Sequence, residues 1–188
     1  NTRAKNGEIK EDFTEYGIST ISADTNKFDE QAIILLDNMI KFNEYYNALG
    51  DKGFDSVHAA INCSYDNGNN ASGGGIVKND KRMAAILVGS NMDASQVDIL
   101  GHEYTHAITG SIIDLNSSQS VETGAIGEGI SDVFGELIEG KVLNENIPNW
   151  YLNNSAASLY RNISDPQDSG NKEKITENSK IDSEYEYS

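Results

Sequence analysis

Apolar residues recur at helical spacing in three stretches of the chain and form short runs in two others. The first stretch extends from Phe28 to Leu49 and is followed by Gly50, a residue type that commonly ends helices. Its predicted core face consists of Ile33, Leu36, Ile40, Phe42, Tyr45 and Tyr46. Phe54–Ile61 and Met83–Val88 lie between turn residues, so we expect them to form strands.

A glycine-rich segment, Asp66–Gly75, separates these two predicted strands. It lacks the Lys-Ser/Thr ending of a phosphate-binding loop, so nucleotide binding is a poor interpretation. A flexible hairpin that borders a cleft suits the composition better. In that position Asn70 and Ala71 could offer backbone and amide groups to an extended peptide.

The second helical stretch is predicted from about Ser95 to Thr109, with capping-type residues before it and Gly110 as its stop. Its expected buried residues are Ile99, Leu100, Thr105 and Ile108. The stretch contains His102-Glu103-Tyr104-Thr105-His106. Because positions i and i+4 share a helix face, both imidazoles could bind one cation. The pattern alone leaves open both a zinc site and a solvated helix face.

The third helical stretch spans residues 124–139 and carries two acids four positions apart. Its apolar positions are Ile126, Ile130, Val133, Phe134 and Leu137. Glu128 and Asp132 fall on one face of this predicted helix. Catalytic zinc usually takes three protein ligands, so one acid could bind the metal while the other hydrogen-bonds a ligating histidine. The alternative is that both are surface acids.

These motifs together resemble the thermolysin-type zinc metallopeptidases. His102–Thr109 matches the pattern H-E-x-T-H, and Gly124–Asp132 matches G-A-x-x-E-x-x-S-D. The resemblance implies His102, His106 and Glu128 as zinc ligands, Glu103 as general base and Asp132 as the partner of His102. The implied activity is endopeptidase cleavage of a peptide or protein substrate, in a secreted protein.

Weaker similarities extend the resemblance along the chain. Asn69-Asn70-Ala71 resembles the edge segment that pairs with the substrate backbone, and Arg161–Pro166 resembles the segment with a substrate-carbonyl arginine. Asp98 and Glu139 match acids that hold stabilising calcium in the family, and oxygen ligands suit that ion. However, Asn149 and Asn154 stand where the resemblance would place further acids. We therefore expect one calcium ion at most, and ordinary surface acids are the alternative.

The chain also departs from the family pattern. Residues 111–123 contain neither tyrosine nor histidine, and no histidine follows Arg161, although the family uses both residue types near the oxyanion. The chain could be a fragment, a minimal relative or a degenerate member. Its end near the start of the family's helical second domain favours a fragment, whose partner would be that missing domain. The rival interpretations are a non-catalytic zinc-binding module and a purely structural domain.

The expected fold is zincin-like α+β, with a mixed curved sheet packed on a long helix and two active-site helices. Residues 1–110 are predicted to form an N-terminal α+β domain that ends in the HExxH helix. Residues 111–166 would begin the helical C-terminal domain that supplies the third ligand. Residues 167–188 are a polar tail, for which disorder or a surface extension is the expectation.

Charge and cysteine content narrow the possible partners. The 188-residue chain has a net charge of −16, which argues against nucleic acid and anionic membranes as partners. It has no transmembrane run and no signal peptide and begins with Asn1, so we expect that processing or excision has occurred. The single cysteine, Cys63, excludes an internal disulfide and is expected to be a small buried residue. His58 is expected to be a structural or partly exposed strand residue.

Overall fold

The computed structural model describes residues 8–11, 21–24, 30–113, 121–145, 148–152 and 161–165. The first elements are β1 (Glu8–Glu11), β2 (Ile21–Asp24), α1 (Glu30–Ala48), β3 (Ser56–Cys63) and a 3₁₀ turn at Tyr65–Gly68. They are followed by β4 (Ala71–Lys78), β5 (Lys81–Gly89), α2 (Val97–Ile112), α3 (Val121–Val142), β6 (Tyr151–Leu152) and β7 (Arg161–Asn162). The predicted tail and Asn154 lie outside the described residues.

Five strands form a mixed sheet in the order β1-β2-β3-β5-β4. The β3 and β5 strands are parallel, whereas the other neighbouring pairs are antiparallel. Strands β6 and β7 form a separate antiparallel pair. With the three helices this is an α+β fold of the zincin-like kind, as the sequence predicts. In this order β4 lies at one edge of the described sheet.

Helix α1 packs on the sheet through a different apolar face from the predicted one. Its buried residues are Leu35, Asn38, Met39, Phe42 and Tyr46. The prediction for Phe42 and Tyr46 is confirmed, and Tyr45 is half-buried, but Ile33, Leu36 and Ile40 are exposed. The helix has two apolar stripes, and the buried one also carries polar anchors. Asn38 donates a hydrogen bond to the carbonyl of Ala94 at 2.9 Å. This bond holds the face of α1 that contains Leu35 against the rest of the protein.

The glycine-rich segment begins in the 3₁₀ turn, and its second half, from Ala71 to Gly75, belongs to the regular strand β4, so its interpretation as a flexible hairpin is corrected. Strand β4 pairs with β5 from Ala71 opposite Val88 to Lys78 opposite Lys81. A Cβ atom at Gly73 or Gly75 would overlap the backbone carbonyl of Glu103 or Ala107, respectively. These glycines therefore let β4 lie directly against α2.

Helices α2 and α3 both form near their predicted ranges. Helix α2 begins two residues later than predicted and continues through Gly110 to Ile112, so Gly110 does not end it, whereas α3 extends beyond residues 124–139 at both ends. Within α2, Leu100, Thr105 and Ile108 are buried and Ile99 is half-buried. The buried residues of α3 are mainly small: Gly124, Gly127, Ser131, Gly135, Glu136, Ile138 and Gly140. Ile126 and Val133, which belong to its predicted apolar pattern, are exposed. A Cβ atom at Gly135 would lie 2.6 Å from the carbonyl oxygen of Asp98, so the two helices cross at very close range.

Two further predictions concern single residues outside the site. Cys63 is fully buried, as expected, and burial raises the pKa of its thiol to about 11. His58 is exposed on β3, which agrees with a partly exposed strand histidine. No helix in the described ranges combines the length and the apolar character needed to cross a membrane.

Candidate metal centre

Three side chains from α2 and α3 converge on one point. His102 and His106 project from the same face of α2, and their Nε2 atoms are 3.0 Å apart. Glu128 of α3 faces both rings: its Oε2 is 3.3 Å from Nε2 of His102, and its Oε1 is 3.2 Å from Nε2 of His106. The close crossing of the two helices at Gly135 produces this convergence.

The spacing of these atoms suits a tetrahedral zinc ion. Ligands bound at about 2.0–2.1 Å in tetrahedral geometry lie about 3.3 Å from one another. The three observed separations, 3.0, 3.2 and 3.3 Å, are close to that value. Two imidazoles and one carboxylate are also a donor set that zinc accepts, with a fourth position left for water or substrate. Among the side chains that the structure describes, no other group of three such ligands comes together in this way.

Asp132 lies behind His102, on the side away from Glu128. Its Oδ1 is 2.7 Å from Nδ1 of His102, although the angles are not those of a well-formed hydrogen bond. A carboxylate in this position favours a proton on Nδ1 and so leaves Nε2 for a metal. Asp132, four residues after Glu128, therefore lies where it could orient the ring of His102.

The electrostatics of the ligand set favour a cation. Burial lowers the pKa of His102, but the neighbouring Asp132 and Glu128 outweigh that effect and raise it to about 10. Burial also opposes ionisation of Glu128, yet hydrogen bonds from His102 and His106 hold its pKa well below the usual range. The two shifts favour a protonated His102 beside an ionised Glu128. A metal ion that bound to Nε2 of His102 would displace the proton from that nitrogen.

Arg161 of β7 lies at the edge of the same centre. Its Nη2 forms an ion pair with Oδ1 of Asp132 at 3.0 Å, and its Nη1 is 3.8 Å from Oε2 of Glu128. The guanidinium is half-buried, so part of it remains accessible to a bound molecule. This residue, distant in sequence from both motifs, is therefore brought to the ligand set.

Glu103 is buried directly after His102 in α2. Its carboxylate contributes to the raised pKa of His102, so it lies within electrostatic range of the ligands. Its backbone carbonyl faces Gly73 of β4. The metal-ligating helix therefore contacts the edge strand at this residue.

Asn70 and Ala71 stand at the start of the edge strand. Asn70 is exposed and Ala71 is buried. The backbone N–H of Ala71 donates to Oδ1 of Asn70 at 2.9 Å, while the carbonyl of Asn70 accepts from Gly89 at 3.0 Å. Their contact with a substrate stays a prediction.

The acids matched to calcium lie further along the α2–α3 interface. Asp98 is buried and Glu139 is half-buried. Burial raises the pKa of Glu139 to about 7, and Asp98 and Glu136 add to the increase. Oε2 of Glu139 accepts a hydrogen bond from Nδ2 of Asn149 at 2.8 Å, so a protein group already contacts it. Calcium binding by Asp98 and Glu139 stays a prediction.

Sequence reasoning did not identify the role of Glu136. This side chain is fully buried in α3, and its Oε2 accepts the backbone N–H of Trp150 at 2.7 Å. Its position, four residues after Asp132, was a usable signal because it places the acid on the same helix face.

The fold and these side chains define an α+β protein with a group of residues that could hold a metal ion, and known proteins give a closer comparison. No family model matches the chain, and no solved structure matches it. Bacillolysin of Bacillus caldolyticus and thermolysin of Alicyclobacillus acidocaldarius are each 33% identical over 138 residues, or 68% of this chain and 24% of theirs. Bacillolysin of Bacillus cereus is 38% identical over 79 residues, or 37% of this chain and 13% of its own length.

The chain thus spans about a quarter of the length of the bacillolysin of Bacillus caldolyticus and of the thermolysin of Alicyclobacillus acidocaldarius. The similarity indicates a thermolysin-like relation over about two thirds of the chain. It agrees with the His-His-Glu group that could hold a metal ion.

Proposed function

We propose that this chain is part of a secreted, zinc-dependent endopeptidase of thermolysin type. The observation that carries the proposal is the group His102, His106 and Glu128, whose ligand atoms are 3.0–3.3 Å apart. Similarity to thermolysin over 68% of the chain supports the same class. Secretion and a peptide or protein substrate enter the proposal through that relation.

In this proposal each residue of the site has a separate task. A zinc ion held by the three ligands would act as a Lewis acid and would polarise both a water molecule and the scissile carbonyl. Glu103 accepts a proton as the water attacks the carbonyl carbon, and it then delivers the proton to the leaving nitrogen as the C–N bond breaks. Asp132 keeps the ring of His102 in the tautomer that binds metal.

Substrate contacts come from two sides of the centre. Arg161 donates a charge-assisted hydrogen bond to a substrate carbonyl, and its ion pair with Asp132 fixes its position. Strand β4 lies at the edge of the described sheet, so an extended peptide could pair with it next to α2. Asn70 and Ala71 would make the first of these contacts.

The test combines metal analysis with a peptidase assay. We expect one zinc ion per chain in the wild type and in Glu103→Gln, and loss of zinc in His106→Ala. Removal of the general base should lower turnover by about 10²–10⁴-fold. Glu122→Gln is a matched control because Glu122 is exposed on α3; it should retain both zinc and turnover. A chain without stoichiometric zinc would contradict the proposal and support a structural domain.

The second candidate function is a non-catalytic zinc-binding module. It is favoured by the absence of tyrosine and histidine from residues 111–123. Loss of one oxyanion donor typically lowers turnover by about 10²–10³-fold. If the wild type and Glu103→Gln both bind zinc and neither cleaves peptides, the second function is supported; equal cleavage by the two proteins would contradict the role of Glu103 as general base.

A further inference from the structure

We propose that Glu136 is a positioning residue that holds Arg161 at the metal centre through the backbone of Trp150. The use of Arg161 in substrate binding rests on the proposed function, but its placement does not. No sequence motif identified Glu136, and its carboxylate is not one of the three converging ligands.

The first step is the contact between Glu136 and Trp150. Glu136 is fully buried, and its Oε2 accepts the N–H of Trp150 at 2.7 Å. Trp150 has a φ of +63°, a left-handed conformation that residues other than glycine rarely adopt. The hydrogen bond to a buried carboxylate therefore holds the chain in a conformation that it would otherwise tend to leave.

The second step leads from Trp150 to Arg161. The carbonyl of Trp150 accepts the N–H of Ile163 at 2.9 Å. Directly beyond it, Tyr151 pairs with Asn162, and Leu152 pairs with Arg161. A shift of Trp150 would move this short strand pair, because only two residues of each strand form it.

Helix α3 also contacts the strand pair and a residue before it directly, through side chains on either side of Glu136 in sequence. Asp132, one turn before Glu136, contacts the guanidinium of Arg161 at 3.0 Å. Glu139, nearly one turn after Glu136, accepts a hydrogen bond from Asn149 at 2.8 Å. The helix thus binds the backbone before β6 and the side chain on β7.

The cost of burying Glu136 supports a specific role for it. Its Oε1 is buried and has no hydrogen-bond partner among the residues that the structure describes, a situation that costs free energy. An apolar side chain of similar size would avoid this cost but could not accept the N–H of Trp150. The carboxylate therefore provides something that simple packing does not.

The first measurement uses Trp150, the single tryptophan of the chain. Glu136→Met removes the acceptor without opening a cavity, whereas Glu136→Gln keeps a carbonyl acceptor at the same place. In the full-length chain we expect a red-shifted emission and stronger acrylamide quenching for Glu136→Met. Glu136→Gln and the exposed-site control Glu122→Ala should match the wild type.

The second measurement follows Arg161 directly, by phenylglyoxal labelling located with peptide mass spectrometry. Arg82 serves as an internal reference because it is held elsewhere, by Asp51 and Ser111 at 2.6 Å each. We expect Arg161 to react about tenfold faster in Glu136→Met and at the wild-type rate in Glu136→Gln. Equal labelling of Arg161 in the wild type and Glu136→Met would overturn the proposal. Faster labelling of Arg161 in both Glu136→Met and Glu136→Gln would also overturn it. Glu136→Gln keeps the hydrogen-bond acceptor for Trp150, so loss of that acceptor could not then explain the faster reaction.

Activity provides a separate readout of the same link. If the wild type cleaves peptides, Glu136→Met should raise KM as Arg161→Ala does, and the double variant should be no worse than Arg161→Ala alone. Additive effects of the two changes would contradict action through Arg161. If neither the wild type nor any variant cleaves peptides, the proposed function fails. The labelling of Arg161 still decides whether Glu136 positions Arg161.

Discussion

Thr105 lies within the histidine motif, yet its contacts serve the packing of helices. Its Oγ1 donates to the carbonyl of Gly101 at 2.7 Å, so the hydroxyl of Tyr46 must donate to Thr105, also at 2.7 Å. Both side chains are buried. This chain of hydrogen bonds joins α1 to α2 beside the two histidines.

Replacement of Tyr46 by phenylalanine should lower the free energy of unfolding by about 1 kcal/mol, because one buried hydrogen bond is lost while the ring packing remains. Urea denaturation monitored by circular dichroism measures the change. Tyr45→Phe is the matched control, since this neighbouring tyrosine is only half-buried and lies outside the Thr105 contact. Equal losses in the two variants would show that the Tyr46 hydroxyl has no special role.

At the scale of elements, α2 is held between β4 and α3 by contacts that only glycine allows. On one side, Gly73 and Gly75 face the backbone carbonyls of Glu103 and Ala107. On the other, Gly135 faces the turn between Asp98 and His102. The metal-ligating helix can therefore shift little relative to either neighbour.

Glycine substitutions should consequently have opposite effects at two positions. Gly73→Ala should lower the melting temperature and weaken zinc binding, since its methyl group would overlap the carbonyl of Glu103 and displace β4 from α2. Gly129→Ala should instead raise stability by about 0.5–1 kcal/mol, because alanine is the better helix former. A Cβ at Gly129 meets nothing within 4 Å. Calorimetry of both variants measures the contrast, and stabilisation by Gly73→Ala would refute it.

The helices were predictable from sequence because their apolar spacing is regular, whereas the buried faces of α1 and α3 were predicted only in part. Helix α1 offers two apolar stripes, and the one containing Leu35 is distinguished by its polar contacts, such as the hydrogen bonds from Asn38 to Ala94 and from Tyr46 to Thr105. In α3 the packing face consists largely of glycine and serine, which a search for large apolar residues overlooks. Similarly, glycines in β4 reflect close packing, although their number suggested flexibility.

The grouping of the candidate ligands was predictable for a related reason. A spacing of four residues places His102 and His106 on one face, and Glu128 and Asp132 on another, whatever the helices pack against. The angle between the helices was not predictable from spacing, because it depends on the contact at Gly135. The role of Glu136 was missed since its partner is a backbone N–H, which has no sequence signature.

At the scale of the whole molecule, the candidate centre joins parts that are distant in sequence. The edge strand β4, helices α2 and α3, and strand β7 each contribute a residue to the proposed site. The division into two domains and a tail stays a prediction. The chain covers 24% of the length of thermolysin from Alicyclobacillus acidocaldarius. A complete substrate cleft is therefore part of the proposed function and not an observation on the described residues.

Stability should also depend on pH through the buried acid of α3. Burial raises the pKa of Glu136 from 4.5 to about 7, and the negative charges of Asp98 and Asp132 contribute. A pKa raised by folding means that the folded state prefers the protonated acid. The resulting stabilisation is complete below pH 4.5 and is lost as the pH rises through about 7.

We therefore expect the free energy of unfolding in EDTA to fall between pH 5 and pH 8, with Glu136 contributing up to about 3 kcal/mol of the loss. Glu136→Gln cannot ionise, so its loss over the same interval should be smaller. Glu139 and His102 are present in both proteins, so the difference between the two urea-denaturation series reports Glu136 together with its effect on the pKa of Glu139. Parallel curves for the wild type and Glu136→Gln would mean that Glu136 is ionised as easily in the folded chain as in the unfolded one.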